Sequence, residues 1–124
     1  MLHAPAFQFQ ATAPASAALC RALIVDDMKR ILSDPSRWLK DTAARTLHGE
    51  VTYMTSRDAH AFDIWGVMYH AVSRHNVPHY VYGDVMDGIA HEIRAITGRP
   101  PAPWNSDPSR THADILELLE ALPD

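Results

Sequence analysis

"DAHAFDIWGVMYHAVSRH", Asp58 to His75, is the stretch on which the reading of the fold turns. It opens on an aspartate, a residue suited to capping a helix. Phe62, Trp65, Val67, Met68, Tyr69 and Val72 then recur at spacings that keep them on one broad side of a helix. The pattern predicts a helix over residues 59–75, central in the molecule and the most buried. Gly66 falls in its middle. Glycine there costs about 1 kcal/mol relative to alanine, so its presence predicts that another backbone passes close by. "NVPH", Asn76 to His79, ends the helix, because the residue before a proline avoids helical geometry.

Further helices are predicted on both sides. Ser16 caps a first helix over residues 17–32. Cys20, Ile24, Met28 and Ile31 share one face of it with Leu23 and Leu32 alongside, and Asp26, Asp27, Lys29 and Arg30 fall mostly opposite. "SDPSR", Ser33 to Arg37, stops that helix. Between the two, residues 38–44 read as a helical turn or a strand. His48-Gly49 reads as a turn, and Val51, Thr52 and Tyr53 have strand character. A third long helix begins at Gly83 or Asp84 and ends near Thr97, with Val85, Ile89, Ile93 and Ile96 facing inward and Gly98 as its C-terminal cap. "RPPAP", Arg99 to Pro103, reads as a stiff extended link. A last helix starts near Thr111, with Ile115, Leu118, Leu119 and Leu122 as its apolar face. Residues 1–15 carry two prolines and two phenylalanines, Phe7 and Phe9, alternating with glutamines. They are expected to form an extended arm whose rings dock on this chain or on a partner. The expected fold is therefore mainly α: an arm over residues 1–15, then a single helical domain over residues 16–124. That domain is a small irregular four-helix bundle with a short β-hairpin or loop after the first helix. There is no internal repeat.

The chain has 124 residues, 47% hydrophobic and 21% charged, enough for one domain with one core. Its net charge of -4 offers no basic footprint for a run of phosphates. A protein partner or a small molecule is expected, without direct nucleic-acid binding. Eight histidines make that charge soft toward acid pH. The single cysteine, Cys20, rules out an intramolecular disulfide and fits a reducing cytoplasm. No apolar run approaches the roughly 18 residues that span a bilayer, and no basic segment precedes an apolar one as in a secretory signal. Neither a membrane nor a secretory route is expected.

Polar groups concentrate in "WNSDPSRTHADILELLEALPD", Trp104 to Asp124. Thr111 and Asp114 have capping-box spacing. Asp107-Pro108 forms a second helix-start signal. Asn105 and Arg110 are left without a capping role. A helix N-terminus beside a guanidinium fork can hold an anion or carboxylate. The structural alternative makes Asn105 a turn former and pairs Arg110 with an acidic neighbour such as Asp63. Trp104, beside a proline, is expected to be partly exposed, as an interface anchor. His70, His75 and His79, and separately Asp84, Asp87 and His91, have spacings that could gather metal ligands. Neither set has a known signature, and a solvated polar face is the reading taken. No metal or cofactor is expected. Cys20 reads as a core residue rather than a thiolate. No nucleophile elbow, phosphate loop or paired-carboxylate motif is present.

Three pieces carry a resemblance: "RWLKDTAAR" (Arg37 to Arg45), "DAHAFDIWGVMYHAV" (Asp58 to Val72) and "WNSDPSRTHADILELLEAL" (Trp104 to Leu122). In order and spacing they resemble DUF6197, a family of small bacterial and phage proteins of unknown function. The chain departs from the family's pattern at Lys40-Asp41, Ile64-Trp65 and Ser106-Asp107. The resemblance implies the architecture, points to Trp38, Arg45, Trp104, Asn105, Arg110 and Thr111, and supplies no reaction. The expectation is a non-catalytic accessory module, borne by a phage or mobile element and acting on a host defence complex. It would bind through Trp38, Arg45, Trp104, Asn105, Asp107, Arg110 and His112, and a homodimer is compatible with it. The alternative is an anion or small-molecule sensor, or a small enzyme, using Arg110, Asn105 and a histidine such as His70 or His112.

Overall fold

The computed structural model describes residues 16–123; the expected arm, with Phe7 and Phe9, lies outside them. Helix α1 (Ala17–Leu32) leads through a 3-10 turn (Pro35–Arg37) to strands β1 (Ala44–Thr46) and β2 (Ala59–Phe62). Helices α2 (Ile64–Arg74), α3 (His79–Thr97), α4 (Pro101–Asn105) and α5 (His112–Ala121) follow. The protein is mainly helical, with one two-stranded antiparallel sheet after the first helix. No helix among the described residues is long and apolar enough to cross a membrane.

The hub is α1 rather than α2. It packs against α2, α3 and α5 and buries Cys20, Ile24, Val25, Met28, Ile31 and Leu32. Ser16 starts it, its hydroxyl accepting from the Leu19 N–H. Helix α2 covers α1 with Ile64, Val67, Met68, Ala71 and Val72. Ile115, Leu118, Leu119 and Leu122 of the last segment close the core. Thr111 and Asp114 form the complete capping box, and Gly98 ends α3 with a φ of 82°, a backbone suited to glycine.

Several expected boundaries move. Helix α2 begins at Ile64, and its cap is Asp63, whose carboxylate accepts from the Gly66 N–H at 2.6 Å. Residues 59–62 are strand instead of helix. Ala44 pairs with Phe62, Arg45 with Ala61 and Thr46 with Ala59, with an irregularity between Arg45 and Thr46. The Leu39 N–H donates to the Phe62 carbonyl on the other side. Backbone pairing from distant residues thus overrides a helical side-chain pattern. Helix α3 starts at His79, earlier than Gly83, because the Pro78 carbonyl accepts from the N–H groups of Val81 and Tyr82. Ile96, expected inside, is exposed. "RPPAP" is not an extended link: Pro101 and Pro103 lie in the first turn of α4, where a missing N–H costs nothing. Among the described residues the four expected helices are thus joined by a fifth, the five-residue α4.

The hairpin forms around the expected turn. Gly49 has a φ of 90°, Arg45 bridges to Val51, and the Thr46 and Thr52 N–H groups donate to the Glu50 and Ala44 carbonyls. Ala43, just before β1, is the backbone that Gly66 makes room for. A Cβ at Gly66 would overlap the Ala43 carbonyl oxygen and lie 2.9 Å from its carbon.

Gly66→Ala therefore gains up to about 1 kcal/mol of helix propensity and forces a backbone, not a flexible side chain, to shift. Net destabilisation of about 1–3 kcal/mol is expected in urea unfolding. A midpoint equal to or above that of the parent chain would contradict this packing.

Candidate functional site

The polar knot before α5 is built into the fold. Asn105 is buried and uses both ends of its amide. Its Oδ1 accepts from Trp38 Nε1 at 2.8 Å and from the Ile64 N–H at 3.1 Å, and its Nδ2 donates to the Leu39 carbonyl at 3.0 Å. It is a clamp between three segments, not a turn former. The Trp38 ring lies 6.0 Å from that of His112. His112 Nε2 sits 2.7 Å from the Leu32 carbonyl, which can only accept, so that nitrogen carries a proton. Trp38, Asn105 and His112 are thus brought together as a brace.

Trp104, expected to be partly exposed, is buried. The Arg110 guanidinium lies over its ring, 4.1 Å from the centroid, and Arg110 Nε donates to the Trp104 carbonyl at 2.9 Å. The acidic neighbour of Arg110 is Asp114, at 3.7 Å, rather than Asp63. Asp107 does not start a helix. Its carboxylate accepts from the Ser109 N–H and hydroxyl and pairs with Arg99 at 3.0 Å. Those contacts, the Ser109 backbone N–H foremost, push its pKa down to about 2. Arg45 belongs to the hairpin, donating to the Gly49 carbonyl and pairing with Asp41 at 2.7 Å. Arg110 lines an open cleft of about 250 Å³ with Ile96, Thr97, Asp114 and Glu117. Asn105 does not line it, so Arg110, Asn105 and a histidine share no pocket there.

Sequence reasoning missed Asp27. Assigned to the polar side of α1, it is 3% exposed, because a helix packed against three others buries a wide arc. Its carboxylate accepts from Arg30 at 2.8 Å and meets His75 Nε2 at 2.9 Å, with Arg74 at 3.8 Å. This pairing compensates the burial of the charge. Neither partner on α2 has any local signal that it will reach α1.

His70 stands nearby. Its Nδ1 is 3.0 Å from the Met54 carbonyl, so Nδ1 carries the proton and a neutral ring leaves Nε2 as an acceptor. Burial, then the charges of Arg74 and Arg37, lower its pKa, against the Met54 carbonyl and Asp27. His70 lines a cleft of about 290 Å³ with Thr55, Ser56, Arg57, Ser73 and Arg74. Because His70 and His75 turn to different partners, the suggested histidine set does not converge. Among the described residues no three His, Cys, Asp or Glu side chains gather as metal ligands. Cys20 lies in the core, where burial pushes its thiol pKa up.

The largest exposed apolar groups that lie close in sequence are on the hairpin. Leu47 is 68%, Val51 64% and Tyr53 85% exposed. Val51 and Tyr53 point outward in alternation with Thr52 and Met54, and Met54 packs on the core.

Asn105→Ala strands a buried N–H, an indole N–H and a carbonyl together. A loss of about 3 kcal/mol or more in chemical denaturation is expected; a loss below about 1 kcal/mol would remove Asn105 as the clamp. Asp107, with its pKa held below the ordinary 3.8, contributes stability that is complete above that value and is lost as pH falls toward about 2. Across that window the urea midpoint of the parent chain should fall more steeply than that of Asp107→Asn. Parallel profiles would show that the carboxylate is not held as described.

Residues 17–124 match the family model of DUF6197, described as a family of unknown function. No curated protein and no solved structure matches the chain. The match includes the Trp38–Asn105–His112 brace, the Gly66 crossing and the Asp27 pairing. With nearly its whole length covered, the chain belongs to the DUF6197 family.

Proposed function

We propose that this chain is a non-catalytic binding module that recognises a protein partner through the outer face of its hairpin. The observation that carries the reading is the exposure of Leu47, Val51 and Tyr53 on a segment held in place from behind. Met54 anchors it to the core, and Arg45 closes it onto Gly49. An exposed tyrosine flanked by aliphatic groups is the composition of an interface centre, and Arg45 supplies a charged rim. The polar groups that suggested chemistry, Asn105, Asp107, Thr111 and His112, are engaged in holding the fold, which favours binding over catalysis.

The partner we propose is a protein complex of a host cell, such as a defence assembly, met by a product of a phage or other mobile element in the cytoplasm. Small size, a net charge of -4 and the phage occurrence implied by the family resemblance support this version. That negative charge disfavours nucleic acid as a direct partner.

The test is capture of partners from the native host by the tagged chain, identification by mass spectrometry, then affinity measurement with the purified partner. Leu47→Ser combined with Tyr53→Ser should weaken binding by about 30-fold or more while leaving the unfolding free energy within about 0.5 kcal/mol. Undiminished affinity in that double variant would reject the hairpin face. Loss of binding in Arg110→Ala or Trp104→Ala instead would move the contact to the cleft beside α5. A mass that doubles with concentration and reverts in the double variant would identify the partner as a second copy.

A further inference from the structure

We infer that the cleft between residues 55–57 and the last turns of α2 is a binding site for a small tetrahedral oxyanion, as free phosphate or as a phosphomonoester. Its walls are Thr55, Ser56, Arg57, His70, Ser73 and Arg74: three hydroxyls, two guanidiniums, one imidazole and no carboxylate. Among the described residues the side chains of Thr55, Arg57 and Ser73 make no hydrogen bond, and Arg74 has only its 3.8 Å contact to Asp27. Ser56 Oγ accepts from the Asp58 N–H, which leaves its hydroxyl proton to donate. The wall thus presents donors with few acceptors, the complement of a phosphate's oxygens.

The charges behind the wall have the same sense. Asp27 is already held by Arg30 and His75 at 2.8 and 2.9 Å, so it takes little from Arg74. Arg37 donates to the His60 carbonyl and lies close enough to Arg30 and Arg74 for their charges, after burial, to lower its pKa. The C-terminus of α2 opposes an anion with about half an elementary charge, less than either guanidinium in the wall. At about 290 Å³ the cleft falls at the small end of ligand sites, about 300–1,000 Å³. That size suits a single phosphate group with a small substituent better than a dinucleotide.

His70 makes the site sensitive to pH. The groups around it are Arg74 on α2, Arg37 at the end of the 3-10 turn, Arg57 in the loop, Asp27 on α1 and the Met54 carbonyl. While neutral, His70 leaves Nε2 as a lone pair with no partner among the described residues. Protonated, Nε2 becomes a donor. An anion in the cleft favours the protonated ring, so its affinity rises as pH falls through the histidine's range. This site is independent of the hairpin face and survives the failure of that assignment.

The experiment is an amide NMR titration with inorganic phosphate, sulfate and phenyl phosphate. Saturable shifts confined to residues 54–57 and 70–75 are expected. Arg57→Gln and Arg74→Gln should each weaken binding about tenfold without moving the denaturation midpoint of Arg57→Gln, whose side chain makes no hydrogen bond or ion pair among the described residues. Because burial holds the His70 pKa below the ordinary histidine value, sulfate, which keeps its charge throughout, should bind more tightly at about pH 5 than at about pH 8. Tighter binding of phenyl phosphate than of phosphate would assign the site to a phosphomonoester, and the reverse to the free anion. The proposal is overturned by no saturable shift with any of the three, by shifts spread over all basic surfaces, or by affinity unchanged in both variants. It is equally overturned if an oligonucleotide binds the cleft and the three small anions do not.

Discussion

One buried amide holds the segments that local sequence leaves unconnected. Asn105, at the end of a five-residue helix, receives the Trp38 indole N–H and the first N–H of α2, and donates to the Leu39 carbonyl. Helix α4 is too short to be stable by itself, and residues 38–43 have little regular structure. Each depends on the other through this side chain. A donor or acceptor left unpaired in such a place costs about 1–3 kcal/mol, so the Asn105 position admits little chemical change. The same contacts commit Asn105 of the polar knot, together with Trp38, to holding the fold. Lys40 reinforces them from the surface by donating to the Pro108 and Arg110 carbonyls.

A second constraint is electrostatic. Asp27 places a carboxylate inside the α1–α2 interface, and Arg30, His75 and Arg74 surround it. An aliphatic residue of similar volume would often pack at least as stably. What the carboxylate adds is direction. It fixes the end of α2 against one turn of α1 and gathers guanidiniums on the side where the His70 cleft opens. The positive character of that cleft is therefore a consequence of how the two helices are registered, within a chain whose net charge is negative.

Much of this was legible in the residues, wherever the determining physics is local. Ser16, Gly98 and the Thr111–Asp114 pair mark helix ends through hydrogen bonds spanning three or four residues. Gly66 announced the Ala43 crossing because a helical glycine has a cost that something must offset. Illegible features depend on distant partners. Asp58 and Asp63 are equally good caps in isolation, and only pairing of residues 59–62 with β1 and Leu39 selects Asp63. "RPPAP" has the composition of a link and becomes the first turn of α4 because Asn105 and Trp104 are anchored beyond it. Trp104 looks exposed beside a polar knot, yet Arg110 covers its face. Asp27 has the charge of a surface residue, and nothing within four positions predicts that His75 will meet it. For the candidate surfaces the limit is the same. The family resemblance points to Arg45, but Leu47, Val51 and Tyr53 stand out as exposed groups only once Met54 is seen packed behind them.

The hairpin face and the cleft at His70 are joined by one short segment. Val51 and Tyr53 point outward, Met54 turns inward, and its carbonyl holds His70. The Tyr53 carbonyl accepts from the Ser56 N–H, and the Ser56 carbonyl accepts from the Ala59 N–H at the start of β2. The turn that carries Ser56 and Arg57 to the cleft is thus hydrogen-bonded to the residue presenting the outermost ring of the hairpin.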